Sequence, residues 1–432
     1  MKMRIGLAAA TVAMLSTSVA FASTEVQFWH AMGGKLGEKV AEIAGKFNAA
    51  QGDYVVNAVY KGNYTETMTA AIAAFRAREQ PHIVQVFEVG TASMMAAKGA
   101  VYPVHQLMAD TQEPFDQSAY VPAVASYYTS TDGKLLSMPF NSSTPVLWYN
   151  KDMLDKAGAK VPTTWDEVFD ASAKVKASGG TCGFAVGWQS WVLIENMSAW
   201  HNLPIGTKAN GFGGTDTEFT FNNDKIIGLL QRIADSQKDG AFKYGGRRSD
   251  GAPLFNTGEC AMYMNSSASY AGIKANARFN FGQTMLPFMS DVVKAPQNSI
   301  IGGATLWVLQ GGKPEAYKGV AKFFSFLSSP EIQADWHQAT GYVPITTAAY
   351  ELSKTQGYYD ANPGTDIAIR QLSLNAPTAN SAGLRFGNFV QIRDIINEEL
   401  EALWAGQKTA KQAMDAAKSR GDELLRKFQQ TN

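Results

Sequence analysis

Acidic and histidine side chains are the residues of this 432-residue sequence that could support hydrolysis or metal binding. The five histidines are far apart and never fall at the helical pair spacing that zinc sites use, which predicts no metal centre; they are His30, His82, His105, His201 and His337. Glu88 and Glu195 could form the carboxylate pair of a hydrolase, but the sequence gives no separation between them. A secreted phosphodiesterase or glycosidase therefore stays an alternative.

Motifs for covalent or nucleotide chemistry are missing from the sequence. It contains no nucleophile elbow and no phosphate-binding P-loop. The glycines of Gly211-Phe-Gly213-Gly214 lack the preceding strand and the following helix of a dinucleotide turn, so an ordinary loop is expected there. The sequence thus predicts no cofactor and does not require catalysis.

Composition narrows the class of protein further. Of the residues, 45% are hydrophobic and 18% charged, which excludes a disordered chain, and two cysteines are too few for a small disulfide scaffold. The 38 basic and 38 acidic residues leave no basic excess for nucleic acid or anionic lipid. The length allows two or three domains, at about 100 to 200 residues each.

The first 22 residues indicate export. Lys2 and Arg4 precede an apolar run, and small residues at Ala20 and Ala22 are typical of a signal-peptidase site, so residues 1–22 are predicted to be a cleavable signal peptide. The mature chain would then carry 36 basic and 38 acidic residues, a net charge of −2. No cysteine follows the cleavage motif, which predicts a soluble protein without a lipid anchor.

Cys182 and Cys260 would enter an oxidising compartment after export. A disulfide is allowed there, but two buried thiols fit the sequence equally well.

Strands and helices alternate along the chain: Ile83–Val89, Cys182–Val186 and Cys260–Met264 are predicted strands, and Thr164 with Glu167 is a capping box that predicts the start of a helix. This alternation predicts α/β lobes with largely parallel sheets, which must position any site. An extended segment with Pro139 and Pro145 predicts a first crossing between two lobes, and a Pro- and Gly-rich stretch before Gly303 predicts a second. The predicted division is residues 23–138 plus about 288–328 for one lobe, and 139–287 plus about 329–432 for the other. Such a hinged pair binds ligands in the cleft at strand ends.

Several long strings in the sequence together carry a resemblance to a known family; they are VQFWHAMGG, YKGNYTETM, QVFEVGTASMMAAKGA, MPFNSSTPVLWYNKD, GWQSWVLIENMSAWHNLP, IIGGATLWV, WHQATGYVPIT and GLRFGNFVQIRDII. They resemble the glycerol-3-phosphate-binding proteins of the periplasm, and the match runs over essentially the whole mature chain. The resemblance implies an α/β fold of the type II periplasmic-binding-protein class. It also implies capture of sn-glycerol 3-phosphate or a glycerophosphodiester such as glycerophosphocholine. The receptor would be a monomer. Its expected partners are the permease subunits and the cytoplasmic ATPase of an ATP-binding-cassette importer.

The resemblance assigns nine residues to the ligand. Tyr64, Glu88 and Ser143 would hold the glycerol end, because a carboxylate accepts hydrogen bonds from hydroxyl groups. The phosphate end would be formed by Ser266, Gly303, Tyr342 and Arg393. Arginine suits that role because its planar fork matches phosphate oxygens, and Ser266 precedes a predicted helix near Ala268 whose N-terminus favours anions.

Trp188 and Trp191 complete the predicted site. Their indole faces could cover the glycerol carbons or hold a choline group by cation–π attraction, although their spacing alone also fits two core residues. Each predicted contact also has a purely structural alternative. These are a helix cap for Ser266, a tight turn for Gly303, packing for Tyr64 and Tyr342, and an ion pair within its own helix for Arg393. A relative tuned to a neutral sugar is the nearest alternative function, and the absence of repeats disfavours an adhesin.

Overall fold

The computed structural model describes residues 23–432, and the predicted signal peptide lies outside them. The chain forms eleven strands in two sheets within that range; they are β1 (Thr24–His30), β2 (Tyr54–Tyr60), β3 (Ile83–Phe87), β4 (Val101–Tyr102), β5 (Met138–Ser143), β6 (Pro145–Asn150), β7 (Cys182–Val186), β8 (Phe242–Lys243), β9 (Cys260–Ser266), β10 (Phe281–Thr284) and β11 (Gly302–Leu309). Each sheet is the centre of one α/β lobe.

The first sheet has the order β2-β1-β3-β11-β4, with β5 paired to β11 beside this path. Strands β1, β2 and β3 are parallel, whereas β11 runs antiparallel to its neighbours. All five residues of β3 are buried, which explains why the apolar run Ile83–Phe87 does not alternate with polar residues. The strand ends at Phe87, two residues earlier than the apolar pattern predicts, because Glu88–Gly90 forms a 3-10 turn.

The second sheet has the order β10-β6-β9-β7-β8. Strands β7, β8 and β9 are parallel, and β6 is antiparallel to both β9 and β10. The predicted strand Cys182–Val186 is confirmed, and β9 extends two residues beyond the predicted Met264. The carboxyl end of β9 at Ser266 therefore lies where the cleft is expected.

Helices pack against both sheets. Nineteen are found in residues 23–432; they are α1 (Gly34–Ala50), α2 (Tyr64–Ala77), α3 (Thr91–Ala96), α4 (Val104–Asp110), α5 (Pro122–Ala125), α6 (Lys151–Lys156), α7 (Trp165–Ala177), α8 (Met197–Trp200), α9 (Thr207–Asn210), α10 (Asp224–Gln237), α11 (Ala252–Asn256), α12 (Tyr270–Asn276), α13 (Pro314–Leu327), α14 (Pro330–Thr340), α15 (Thr347–Thr355), α16 (Tyr358–Ala361), α17 (Ile367–Leu372), α18 (Phe389–Trp404) and α19 (Ala410–Thr431). The turn α9 is left-handed, since Lys208 and Ala209 have φ of 56° and 51°.

Capping residues define where the helices next to the cleft begin. The Asn63 side chain accepts from the backbone N–H groups of Thr65 and Glu66, and the Glu66 carboxylate accepts from the Asn63 N–H. This capping box starts α2 at Tyr64 and fixes the first turn. The predicted box at Thr164 and Glu167 is present at the start of α7.

A disulfide joins Cys182 and Cys260, which are opposite each other on β7 and β9 with their Cα atoms 4.4 Å apart. The sequence left this bond open, and the parallel register of the two strands is what brings the thiols together. Both cysteines are fully buried at the strand ends away from Ser266.

The two sheets are connected directly by the segment around Thr144. Strand β5 of the first sheet ends at Ser143, Thr144 is buried, and β6 of the second sheet begins at Pro145. The predicted crossing that starts at 139 therefore begins within a strand of the first sheet. A change in the backbone angles at Thr144 would tilt one lobe relative to the other.

The helices that follow β11 pack on different lobes. Helix α13 packs on β1 of the first sheet, and Asp335 of α14 pairs with Lys39 and Lys46 of α1 at 2.8 Å. Helices α18 and α19 pack on each other and on α10 of the second lobe. No helix of residues 23–432 is long and apolar enough to cross a bilayer.

Candidate functional site

A small cavity of about 50 Å³ lies between the two lobes. All nine residues that the sequence singles out line this cavity, together with two others; the lining is Tyr64, Phe87, Glu88, Ser143, Trp188, Trp191, Ser266, Gly302, Gly303, Tyr342 and Arg393. Room for only a few water molecules remains in it, so the lobes are nearly closed.

Arg393 is the charged centre of the cavity. It lies on α18, and its guanidinium is held between two carboxylates: Nε donates to Glu195 Oε1 at 2.9 Å and Nη2 donates to Glu195 Oε2 at 2.6 Å. Nη2 also donates to Glu88 Oε1 at 2.7 Å. The pairing within its own helix that sequence reasoning considered, with Asp394 or Glu398, does not occur.

The three charges are deeply buried, with side-chain exposures of 6% for Arg393, 5% for Glu88 and 1% for Glu195. Burial raises the pKa of Glu88, although the nearby Arg393 opposes this shift. Burial lowers the pKa of Arg393, but Glu195 and Glu88 outweigh that effect, and its pKa lies above the ordinary value. One cation between two acids leaves the cluster one negative charge in excess when both acids are ionised.

Glu88 reaches the cleft because it follows the last residue of β3. The preceding residue Phe87 stacks on Tyr64 with ring centroids 5.2 Å apart and an interplanar angle of 8°. This contact joins the end of β3 to the start of α2. Burial raises the pKa of the Tyr64 phenol well above its ordinary value, so the hydroxyl stays neutral.

A chain of hydrogen bonds leads from the Tyr64 hydroxyl into the first lobe. The Asn141 side-chain NH2 donates to the Tyr64 oxygen at 2.9 Å, and Gln85 Nε2 donates to Asn141 Oδ1 at 2.7 Å. The chain ends at the backbone N–H of Ala31, which donates to Gln85 Oε1 at 2.7 Å. Gln85 and Asn141 are fully buried, and each of these amides is held from both sides.

Ser143 and Gly303 lie on the adjacent strands β5 and β11, where Gly302 is opposite Ser143 and Gly303 is opposite Ser142. Gly303 has a φ of +100°, and a Cβ atom there would be 1.9 Å from the Asn141 carbonyl oxygen. Only glycine fits this close approach of two backbones. Gly303 is therefore required by the strand pairing and also lines the cavity.

The second lobe contributes both predicted tryptophans. Trp188 has a left-handed φ of 47°, its N–H donates to the Arg248 carbonyl at 2.6 Å, and its indole N–H donates to Ser249 Oγ at 3.1 Å. A bulky residue in this region is strained, and such strain concentrates at functional sites. Its ring lies 6.5 Å from that of Tyr64, so the two residues meet across the cleft.

Trp191 begins a π-helix, Trp191–Asn196, that also carries Glu195. Its indole N–H donates to the Ile301 carbonyl at 3.4 Å, and Ser190 Oγ donates to Glu195 Oε1 at 3.0 Å. The wider turn of a π-helix is common at functional sites. Here it carries both the cavity wall at Trp191 and the carboxylate that holds Arg393.

Ser266 and Tyr342 lie in the cavity but also have structural contacts. Ser266 Oγ accepts the Ala268 N–H at 3.1 Å, so it caps a short 3-10 turn, Ser267–Ser269. The helix predicted near Ala268 follows this 3-10 turn, begins at Tyr270 and has seven residues. Tyr342 stacks on Trp336 with ring centroids 5.6 Å apart, and burial raises the pKa of its phenol.

The residues predicted for a glycerol end and those predicted for a phosphate end lie next to each other in the cavity. Glu88, expected at the first end, is in contact with Arg393, expected at the second, and Ser143 is opposite Gly302. Sequence reasoning also missed the parts played by Phe87, Gly302 and Asn141. Glu195 had been considered only as a hydrolase acid, whereas here it orients the guanidinium.

Two wider openings adjoin the cavity. One of about 800 Å³ shares Tyr64, Trp188, Ser266 and Tyr342 with it, and one of about 490 Å³ shares Phe87, Trp188 and Arg393. Trp188 thus borders the inner cavity and both openings. In residues 23–432 no group of three potential metal ligands occurs.

Two α/β lobes that are joined by hinge strands and enclose a polar cavity define a solute-binding protein of the bilobal class. The sequence profile of the bacterial extracellular solute-binding protein family matches residues 42–364. The chain belongs to this family, and both the predicted family and the predicted fold class are confirmed.

Curated relatives and solved structures agree with this assignment. The sn-glycerol-3-phosphate-binding periplasmic protein UgpB of Yersinia enterocolitica is 52% identical over 417 residues, which cover 96% of this chain and 95% of the relative. UgpB of Salmonella typhimurium is 50% identical over 432 residues, 99% of this chain and 98% of the relative.

The solved structures extend the similarity to the fold. UgpB of Mycobacterium tuberculosis, solved in complex with glycerophosphocholine, has a TM-score of 0.78 at 23% identity and covers 94% of this chain and 99% of its own. The GacH receptor of Streptomyces glaucescens, solved with acarbose, has a TM-score of 0.78 at 21% identity and covers 94% and 99%.

Proposed function

We propose that this protein is the periplasmic receptor of an ATP-binding-cassette importer that captures sn-glycerol 3-phosphate or a glycerophosphodiester between its lobes. The observation that carries the proposal is Arg393, a buried guanidinium that projects into a cavity walled by hydroxyl and indole groups. The names of the relatives at 50% to 52% identity support the same ligand class. The predicted signal peptide supports the periplasmic location.

The proposed ligand contacts are the nine predicted residues, Tyr64, Glu88, Ser143, Trp188, Trp191, Ser266, Gly303, Tyr342 and Arg393. Arg393 Nη1 donates to no acceptor among residues 23–432, which leaves it for a phosphate oxygen. A hydrogen bond between charged groups contributes about 1.5–3 kcal/mol, more than a hydroxyl contact does. Glu88 supplies acceptors for glycerol hydroxyls beside that phosphate.

Ligand entry would require the lobes to part, because the cavity between them is small, about 50 Å³, and the Arg393–Glu88 ion pair joins the two lobes across it. Closure over the ligand would then present one surface to the permease subunits. For the lobes we propose the boundaries inferred from sequence, 23–138 with about 288–328 and 139–287 with about 329–432. Two refinements follow from contacts: β5 pairs in the first sheet, and α14 pairs with α1 there.

The experiment that tests the function is a melting screen of the mature chain with glycerol 3-phosphate, glycerophosphocholine, inorganic phosphate and maltose. A ligand of the native state raises the midpoint by mass action. We expect shifts with one or both of the glycerol phosphates and none with maltose. A shift with maltose alone would instead identify a neutral-sugar receptor.

Absence of catalysis is part of the proposal. Both cleft carboxylates that a hydrolase would use, Glu88 and Glu195, are bound to the same guanidinium. Incubation with glycerophosphocholine should release no choline above a buffer control. Sustained turnover would identify a phosphodiesterase and overturn the proposal.

A further inference from the structure

The hydroxyl of Tyr64 is held in one direction by the hydrogen bonds behind it. Asn141 Nδ2 lies 2.9 Å from the Tyr64 oxygen, Gln85 Nε2 lies 2.7 Å from Asn141 Oδ1, and Gln85 Oε1 lies 2.7 Å from the Ala31 nitrogen. A backbone N–H can only donate, so the last of these bonds fixes which end of the Gln85 amide faces Ala31.

That single constraint determines every other bond in the chain. Gln85 Oε1 must accept from Ala31, so its NH2 group must face Asn141 and donate. Asn141 Oδ1 must then accept, and its NH2 group must face Tyr64. Turning either amide over would place two donors or two acceptors in contact and leave hydrogen-bonding groups of the fully buried Gln85 and Asn141 side chains unmet.

The consequence for Tyr64 is a defined polarity. Its oxygen accepts from Asn141, so its own proton must point away from Asn141. Tyr64 lines the cavity, and burial raises the pKa of its phenol, which keeps the proton on the oxygen. The Tyr64 hydroxyl, which could otherwise turn its proton either way, is thus a hydrogen-bond donor on the side away from Asn141.

The Tyr342 hydroxyl is the neighbour that competes for this proton. Burial raises the pKa of Tyr342, and the Asn141 and Tyr64 side chains that face it oppose the rise. Its own proton points toward the sulfur of Met32, 3.9 Å away. Both tyrosines line the cavity, and a ligand oxygen that replaces Tyr342 as the acceptor would receive the Tyr64 proton.

We propose that Asn141 is a specificity-determining positioning residue, which together with Gln85 makes the Tyr64 hydroxyl a hydrogen-bond donor toward an acceptor oxygen of the ligand. The phosphate oxygens are the strongest acceptors in a glycerol phosphate. This inference rests on the proposed function and deepens it: Tyr64 serves the anionic group, and it does not accept from a glycerol hydroxyl as the glycerol-end assignment allows.

A double-mutant cycle tests the proposal through calorimetric affinity for sn-glycerol 3-phosphate. Asn141→Asp replaces the donor with an acceptor of the same shape, so the carboxylate would take the Tyr64 proton and turn it away from the ligand. The added negative charge also weakens anion binding, and repeating the substitution in the Tyr64→Phe background measures that effect alone. The affinity loss caused by Asn141→Asp should be about tenfold larger in the wild-type background than in the Tyr64→Phe background.

Three further variants complete the design. Gln85→Met removes the anchor at a distance from the ligand and should lower the affinity a few fold, again only when Tyr64 is present. If Asn141→Asp does not fold, the coupling between Gln85→Met and Tyr64→Phe tests the proposal instead. Tyr342→Phe should keep the coupling between Asn141 and Tyr64. Ser142→Ala is the matched control with wild-type affinity, because Ser142 adjoins Asn141 on β5, is fully buried and has an Oγ without a partner among residues 23–432.

The outcomes separate this proposal from the proposed function. An equal loss of affinity on Asn141→Asp in the wild-type and Tyr64→Phe backgrounds would show that Asn141 acts on packing or charge alone. That result would overturn the inference. Coupling that disappears in Tyr342→Phe would assign the donor to Tyr342 and overturn it as well. A wild-type protein that binds neither glycerol 3-phosphate nor glycerophosphocholine would overturn the function itself. If only the diester binds, the same cycle is measured with glycerophosphocholine.

Discussion

Arg393 Nη2 lies 2.7 Å from Glu88 Oε1, and this contact joins the second lobe to the first across the cleft. The second partner of Arg393, Glu195, belongs to the same lobe as Arg393. Glu195 therefore fixes the guanidinium within the second lobe, and Glu88 connects it to the first lobe. The lobes therefore meet through a charge pair at the same place where the ligand is expected. A phosphate that enters must share the guanidinium with Glu88.

Arg393→Lys tests the central contact. A lysine cannot donate to Glu195 through two nitrogen atoms and still reach a phosphate, because it presents one ammonium group instead of a planar fork. We expect calorimetry to show an affinity for glycerol 3-phosphate at least about tenfold lower, while circular dichroism stays that of the wild type. Unchanged affinity would remove Arg393 from the ligand site.

The disulfide should contribute stability without affecting the site. Cys182 and Cys260 are 78 residues apart in sequence, and a cross-link of that kind stabilises a fold by about 2–4 kcal/mol. The double substitution Cys182→Ser and Cys260→Ser should lower the urea midpoint. Ligand affinity should not change, because Cys260 and Ser266 are at opposite ends of β9. A loss of affinity with unchanged stability would contradict this separation.

Gly303→Ala should be destabilising because the new Cβ would lie 1.9 Å from the Asn141 carbonyl and φ is +100°. Strain and overpacking together predict a loss of about 2–4 kcal/mol in the free energy of unfolding, measured by urea denaturation. The matched control is Gly228→Ala on α10, where no atom beyond the helix's own backbone lies within 4 Å of the added Cβ. That variant should be as stable as the wild type or slightly more stable, since alanine favours a helix.

Stability should fall as the pH is lowered from 6.5 toward 4. Burial lowers the pKa of His201 and of His337 to about 4, from an ordinary 6.5. Between pH 4 and 6.5 the unfolded chain binds more protons than the folded one. Each histidine therefore lowers the free energy of unfolding by up to about 3 kcal/mol as the pH reaches 4. As the pH rises through 6.5 both histidines also become neutral in the unfolded chain, and this part of the stability is complete about one pH unit higher.

A variant tests the contribution of one histidine. His201 Nε2 accepts the Met289 N–H at 2.7 Å, a bond that the protonated ring cannot make. His201→Gln should therefore flatten the dependence of the unfolding free energy on pH between 6.5 and 4. An unaltered slope would show that His201 does not titrate in this window.

Local sequence signals predict the fold well where one physical cause dominates. The capping box at Thr164 and Glu167 starts α7 as expected, and the apolar run Cys182–Val186 forms β7. Element ends are less well predicted, since Glu88 leaves the strand for a turn that the apolar pattern cannot reveal. The short helix after Ser266 likewise differs from the prediction because a 3-10 turn precedes it.

The candidate site shows a sharper limit. Nine residues of a shared family pattern line one cavity, but their partners could not be predicted from spacing. Arg393 is 198 residues from Glu195 and 305 from Glu88, so only tertiary packing brings these charges together. Asn141 gives no signal in sequence, since its role depends on Gln85 and on a backbone N–H 54 residues before Gln85.

Thr144, the single buried residue between β5 and β6, makes this hinge between the lobes very short. Ser143, which lines the cavity, comes directly before Thr144, and Pro145 directly after it restricts the rotation available there. A ligand that contacts Ser143 is therefore adjacent to the residue at which the two lobes can rotate. A small change in the backbone angles at Thr144 would displace the outer ends of the two lobes by a large distance.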